Sequence, residues 1–191
     1  MDIEKAKEIL GKEFNLTADF TNEVIQDLRL PRDVRILDVG TGLGNMAITL
    51  ALNGYSVLTG EPETDDSAYA KQDWLCNAEK VNVNHLIEFK NFAAENMPFE
   101  NHTFDAVFIF GSLHHIDKHN RVKVLQECIR TSKPNAVICI FEPNRKGIDM
   151  IRQMRPSHPD AADPGEYAHG LHLVVTKKTG AFFDAFIFYK F

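Results

Sequence analysis

Apolar and polar positions follow two rhythms along this chain. Short β-branched or aromatic runs fall at 34–39, 55–60, 86–89, 104–110 and 136–141, and stretches with apolar residues three and four apart lie between them. Ahead of the first run, Ile3, Ala6, Ile9 and Leu10 share one helical face. Phe20, Val24, Ile25 and Leu28 share a second, divided from the first near Gly11 and stopped by Pro31. Further helices are predicted over 43–52 (Leu43, Met46, Ala47, Leu50 inward), 67–79 (Ala70, Trp74, Leu75, Ala78), 117–132 with Asp117 as cap, and 144–155 (Ile148, Ile151, Met154). The nearly unbroken apolar runs 104–110 and 136–141 suit central parallel strands buried on both faces, with Pro134 and Asn135 as the turn before the second. Residues 156–170 form a long polar loop, and 171–176 and 182–189, parted by KKTG, form a hairpin. Five strands alternating with helices and then two more predict an α/β fold, doubly wound, with a mostly parallel seven-stranded sheet and a C-terminal antiparallel hairpin.

Composition adjusts this picture only slightly. With 191 residues, 44% hydrophobic and 25% charged, the expectation is one globular domain over 1–191, with a helical cap at 1–30 and the core at 34–191. The net charge of −6 offers no global basic field, so neither nucleic acid nor an anionic membrane is an expected partner. Cys76, Cys128 and Cys139 are odd in number and lack metal spacing, which points to reduced thiols and a cytoplasmic protein. The N-terminal residues carry charge throughout, so no signal peptide or membrane span is expected there.

The candidate chemistry starts at residues 36–61, ILDVGTGLGNMAITLALNGYSVLTGE, a strand, glycine turn, helix and strand. Gly40, Gly42 and Gly44 permit positive φ and close approach of a ligand to the backbone. Asp38 and Glu61 are the carboxylates at the two strand ends. Each has an ordinary explanation as well: a tight turn for the glycines, a capping group for Asp38, a solvated charge before Pro62 for Glu61. Taken together they resemble the class I S-adenosylmethionine-dependent methyltransferases, in which two acids flank such a turn. That resemblance implies a Rossmann-like core, S-adenosylmethionine as cofactor, S-adenosylhomocysteine as product and a small-molecule acceptor. It also implies cofactor contacts at Asp38, Gly40, Thr41, Gly42, Gly44, Asn45, Glu61 and Pro62. Asn45 stands where a dinucleotide fingerprint would place its third glycine; with the terminal hairpin, this argues against a nicotinamide-dependent reductase.

Downstream, AENMPF is similar to the family segment that holds the adenine, which implies contacts from Ala94 and Glu95, and from Phe110 and Gly111 after the next strand. The family's acid ahead of that segment is replaced by Ala93, removing one acceptor and about 1 kcal/mol of binding. A catalytically silent domain of the same fold is therefore the alternative to an enzyme. His114 and His115 are open to three roles: general base, metal ligand with His119, or structural group. Neighbouring helical side chains diverge by about 100°, so no metal site is assigned. His114, His115 and Glu142, which closes the fifth strand, are the catalytic candidates. His158, Tyr167 and His169 on the long loop are within reach of a substrate or are ordinary surface residues.

Overall fold

The computed structural model describes residues 1–65 and 70–190, in two compact units, Met1–Ala93 and Ala94–Phe191. In the first unit, helices α1 (Ile3–Leu10) and α2 (Lys12–Asp27) are separated at Gly11, whose φ of 78° suits a residue without Cβ. Strands β1 (Ile36–Val39), β2 (Val57–Gly60) and β3 (Ile87–Phe89) pair in parallel in the order β3-β2-β1, which sets Asp38 opposite Thr59. Helix α3 (Asn45–Leu52) begins two residues later than the apolar spacing predicts, because Gly44 has a φ of 82° and sits outside helical geometry. Burying Leu37, Ile48 and Leu50 completely contributes roughly 1.5–3 kcal/mol each. Helix α4 (Trp74–Lys80) is capped by Asp73, which accepts from the Cys76 amide. The helix predicted over 67–79 is thus shorter within the described residues, and 67–69 lie outside them.

The second unit contains β4 (Phe104–Phe110), α5 (Arg121–Thr131), β5 (Ser132–Pro143), α6 (Arg145–Met154), the short α7 (Pro164–Tyr167), β6 (Leu173–Thr179) and β7 (Phe183–Lys190). Its strand order is β4-β5-β7-β6, parallel between β4 and β5 and antiparallel beyond. The described strands make the expected seven-stranded, mostly parallel, Rossmann-like sheet with a C-terminal hairpin.

Four local expectations fail here. Met154, placed inward by the helical spacing, ends α6 69% exposed. Pro134 and Asn135 are not a turn: the pairing jumps from Phe104↔Ser132 to Ala106↔Val137, and the extra residues are absorbed as an irregularity inside β5. Lys177, Lys178 and Thr179 belong to β6 and the hairpin turns at 180–182; Lys177 is held by an ion pair to Asp184 at 2.7 Å. Asp117 makes no side-chain cap bond; a 3-10 turn, Lys118–Asn120, separates it from α5.

Candidate functional site

Asp38 ends β1 fully buried. Its Oδ2 accepts from the Thr59 hydroxyl at 2.8 Å, Thr59 lies 2.9 Å from the Thr41 hydroxyl, and Oδ1 has no hydrogen-bond partner among the described residues. Burial is the main cause that pushes the Asp38 carboxyl up to about 7; the Thr59 bond opposes the shift and the charge of Glu61 adds to it. Gly40, Gly42 and Gly44 all have positive φ, and the Gly40 amide donates to Gly60 at 2.8 Å. Glu61 is only 7% exposed and holds the turn from the side: Oε2 accepts from the Gly42 amide at 3.0 Å and Oε1 from the Lys71 amide at 2.5 Å. Gly60 has no space for a side chain, since a Cβ there would meet the Lys90 carbonyl at 1.9 Å. Beside Glu61 opens a pocket of about 260 Å³ lined also by Pro62, Lys71, Trp74 and Phe89, whose two aromatic rings stack with centroids 5.8 Å apart. Asn45 opens α3, half-buried, and its carbonyl accepts from Thr49 at 2.7 Å. Sequence reasoning identified the turn and both acids but missed Thr59, Lys71 and Trp74; the hydroxyl opposite Asp38 in β2 is recoverable only once the register is known.

In the second unit, β4 and β5 pair through Phe110↔Phe141, which brings the turn after β4 beside Glu142. Glu142 does not close the fifth strand but lies inside it, paired with Asp184 of β7 in a strand that runs to Pro143. His114 Nδ1 lies 2.8 Å from Glu142 Oε2, with both side chains buried. The same Oε2 accepts from the Ala162 amide at 3.1 Å, while Glu142 Oε1 and His114 Nε2 are buried without partners among the described residues. Arg121 fixes the turn that carries His114: its guanidinium donates to the His114 carbonyl at 3.0 Å, the Ile116 carbonyl at 2.9 Å and the Tyr167 hydroxyl at 2.9 Å. His115 is exposed, and its ring centroid is 4.1 Å from that of His114. The expected divergence of the two rings assumed an α-helix. Leu113–His115 is instead a single 3-10 turn running into extended Ile116, so α-helical spacing does not describe this pair and the two rings lie side by side.

His119, named only in the metal reading not assigned above, is not in this cluster; His158 is, 5% exposed, with its ring 5.1 Å from that of His114. Burial is the leading cause that holds the His158 imidazole below its ordinary value. Tyr167 is buried under Arg121, whereas His169 is exposed. Gly111, at a φ of 59°, donates its amide to the Phe141 carbonyl at 2.8 Å, and Phe110 stacks on Phe183 at 4.8 Å. Ala94 is buried and Glu95 half-buried ahead of β4.

The profile of the family described as methyltransferase domain matches residues 37–140, more than half of the chain. The chain belongs to this family. The fold of this methyltransferase domain is also that of a protein from Pyrococcus horikoshii OT3, which is 17% identical with a TM-score of 0.76, covering 96% of this chain and 94% of that one. Among curated relatives, the botryococcene C-methyltransferase of Botryococcus braunii is 34% identical over 116 residues, 60% of this chain and 29% of the relative. The sterol 4-C-methyltransferase strm-1 of Caenorhabditis elegans is 25% identical over 124 residues, 62% of this chain and 34% of that protein. The methyltransferase domain thus spans well under two thirds of the first curated relatives that it matches. No helix among the described residues is long and apolar enough to cross a membrane.

The cofactor of the family is S-adenosylmethionine, a cation, and the first unit of this methyltransferase domain fits such a group. The buried Asp38 Oδ1 has no partner, Glu61 stands at the rim of a pocket with two stacked aromatic rings, and the glycine turn leaves its backbone bare.

Proposed function

We propose that this methyltransferase domain transfers a methyl group from S-adenosylmethionine to a small-molecule acceptor, with His114 taking the acceptor's proton. The bound cofactor supplies a methyl group activated on a sulfonium, which leaves in one in-line displacement with the C–S electron pair remaining on sulfur. The chain's own residues bind and orient. Asp38 meets positive charge, Glu61 accepts from ribose hydroxyls, and the glycine turn admits the ligand against the backbone. The observation that carries the catalytic reading is the buried His114–Glu142 pair. Glu142 holds the Nδ1 proton and so leaves Nε2 as the acceptor, the arrangement in which a carboxylate fixes the tautomer of a general base. Such assistance typically contributes ~10²–10⁴-fold in rate. The sterol and botryococcene relatives make apolar isoprenoids the first acceptors to screen.

The test begins with calorimetry of S-adenosylmethionine, S-adenosylhomocysteine and NADH. Binding of NADH alone overturns the proposal. A homocysteine-release screen then starts from sterols, quinols and other apolar alcohols, followed by His114→Ala, His115→Ala and Glu142→Ala on the acceptor found. The expectation is a loss of ~10²-fold or more for His114→Ala and Glu142→Ala with cofactor affinity unchanged. Full turnover in all three variants would remove the base, and tight cofactor binding with no acceptor in the screen would favour a catalytically silent domain.

A further inference from the structure

We propose that His114, His115 and His158 form a binding site for a divalent transition-metal ion of the zinc type, with Glu142 as its positioning residue. One ring nitrogen from each histidine lies within 4.8 Å of the other two. Two of the three rings are anchored through Nδ1: His114 to Glu142 Oε2 at 2.8 Å, and His158 to the Pro159 carbonyl at 3.0 Å. A histidine that gives one ring nitrogen to a carboxylate or a carbonyl presents the other as a ligand in a fixed direction, the usual support of metal-bound imidazole. In His114 that second nitrogen is buried and has no partner among the described residues, an arrangement that is unfavourable until a ligand relieves it.

The backbone at both buried positions is also restrained. Arg121 donates to the His114 carbonyl, and Arg152 donates to the His158 carbonyl at 2.9 Å. His115 is the exposed member, which gives an ion an entry path to the two buried rings. Tetrahedral zinc with Zn–N bonds of 2.0–2.1 Å needs nitrogens about 3.3 Å apart, so a pair at the 4.8 Å limit must close by about 1.5 Å. Rotation of the His115 side chain closes its own two distances, and a turn of the His158 or His114 ring about its Nδ1 contact closes the third. Three imidazoles without a thiolate suit Zn²⁺, Co²⁺ or Ni²⁺ and leave a fourth position open.

The inference goes beyond the methyl-transfer reading and competes with its general base: with the ion bound, His114 Nε2 is a ligand and no longer a base, whereas cofactor binding by the first unit does not depend on the ion. The experiment uses the full untagged chain, stripped with chelator. ZnCl₂ is titrated by calorimetry and CoCl₂ by visible absorption, with S-adenosylhomocysteine affinity and circular dichroism recorded for every variant. We expect one equivalent of Zn²⁺ bound at micromolar or lower concentration and d–d bands of four- or five-coordinate cobalt. His115→Ala and His158→Ala should each weaken binding at least tenfold, and Glu142→Gln by about 10–100-fold with a shifted cobalt spectrum. His119→Ala should bind as the parent does. Zn²⁺ binding weaker than about 100 µM in the parent, or undiminished in His115→Ala, overturns the site. Because His115 is exposed, that variant decides even if His158→Ala fails to fold. Loss of the metal site with intact S-adenosylhomocysteine binding would leave the methyl-transfer reading standing.

Discussion

Replacing Asp38 with Asn should change the pH dependence of stability in a direction opposite to that of an ion-paired acid. Asp38 is fully buried, and its carboxyl sits at about 7 in the folded chain against an ordinary 3.8. Below 3.8 both folded and unfolded chains hold the proton, so the group contributes nothing. From 3.8 to 7 only the folded chain holds it, and stability falls by up to about 1.4 kcal/mol per pH unit. Above 7 the full cost, about 4 kcal/mol, is in place. Between pH 5 and pH 8 about 2.5 kcal/mol of that change is accessible to measurement. In Asp38→Asn the amide oxygen still accepts from Thr59, while the NH₂ group faces the position where Oδ1 now has no partner, a pH-independent cost of roughly 1–3 kcal/mol. Urea unfolding of both proteins at pH 5, 6, 7 and 8 cancels every other titrating group in the difference. The variant should gain on the parent by about 2.5 kcal/mol across that range. A difference that stays flat would mean that Asp38 is ionised throughout and that the argument from burial is wrong.

Glu61→Ala removes the acceptor of the Gly42 and Lys71 amides, and cofactor affinity measured by calorimetry should fall roughly tenfold to a hundredfold. Gly60→Ala should destabilise the chain by more than 2 kcal/mol in thermal unfolding, because the Lys90 carbonyl and the Phe92 ring occupy the place of its Cβ. Ala93→Asp should tighten S-adenosylhomocysteine binding severalfold by returning an acceptor; equal or weaker binding in a folded variant would show the family pattern does not transfer to this position.

How much of this was legible in the sequence depended on range. The apolar run of β4 and the glycine turn after β1 are local signals, and both lie where the pattern places them. The sequence places His114, His115 and Glu142 after two adjacent central strands, but the hydrogen bond between His114 and Glu142 depends on the register of β4 against β5 and on the turn at Leu113–His115. His158 could not be assigned to His114 because its approach depends on the path of a loop through Pro159 and on Arg152, neither of which leaves a periodic trace. Pro134 and Asn135 misled for a related reason. Their turn propensity is local, and the pairing of β4 with β5 overrides it by tolerating an irregularity within a strand.

The hairpin order in the second unit has a consequence for folding. Strand β6 precedes β7 in the chain but lies outside it, and among the described residues β7 is its one partner in the sheet. Its place in the sheet therefore depends on β7, which alone joins it to β5. Until that pairing is made, Val174 and Val175, 51% and 43% exposed even in the folded chain, have no sheet neighbour. Lys177 and Lys178 in the same strand place positive charge on it, the type of residue that keeps an edge from pairing with another chain.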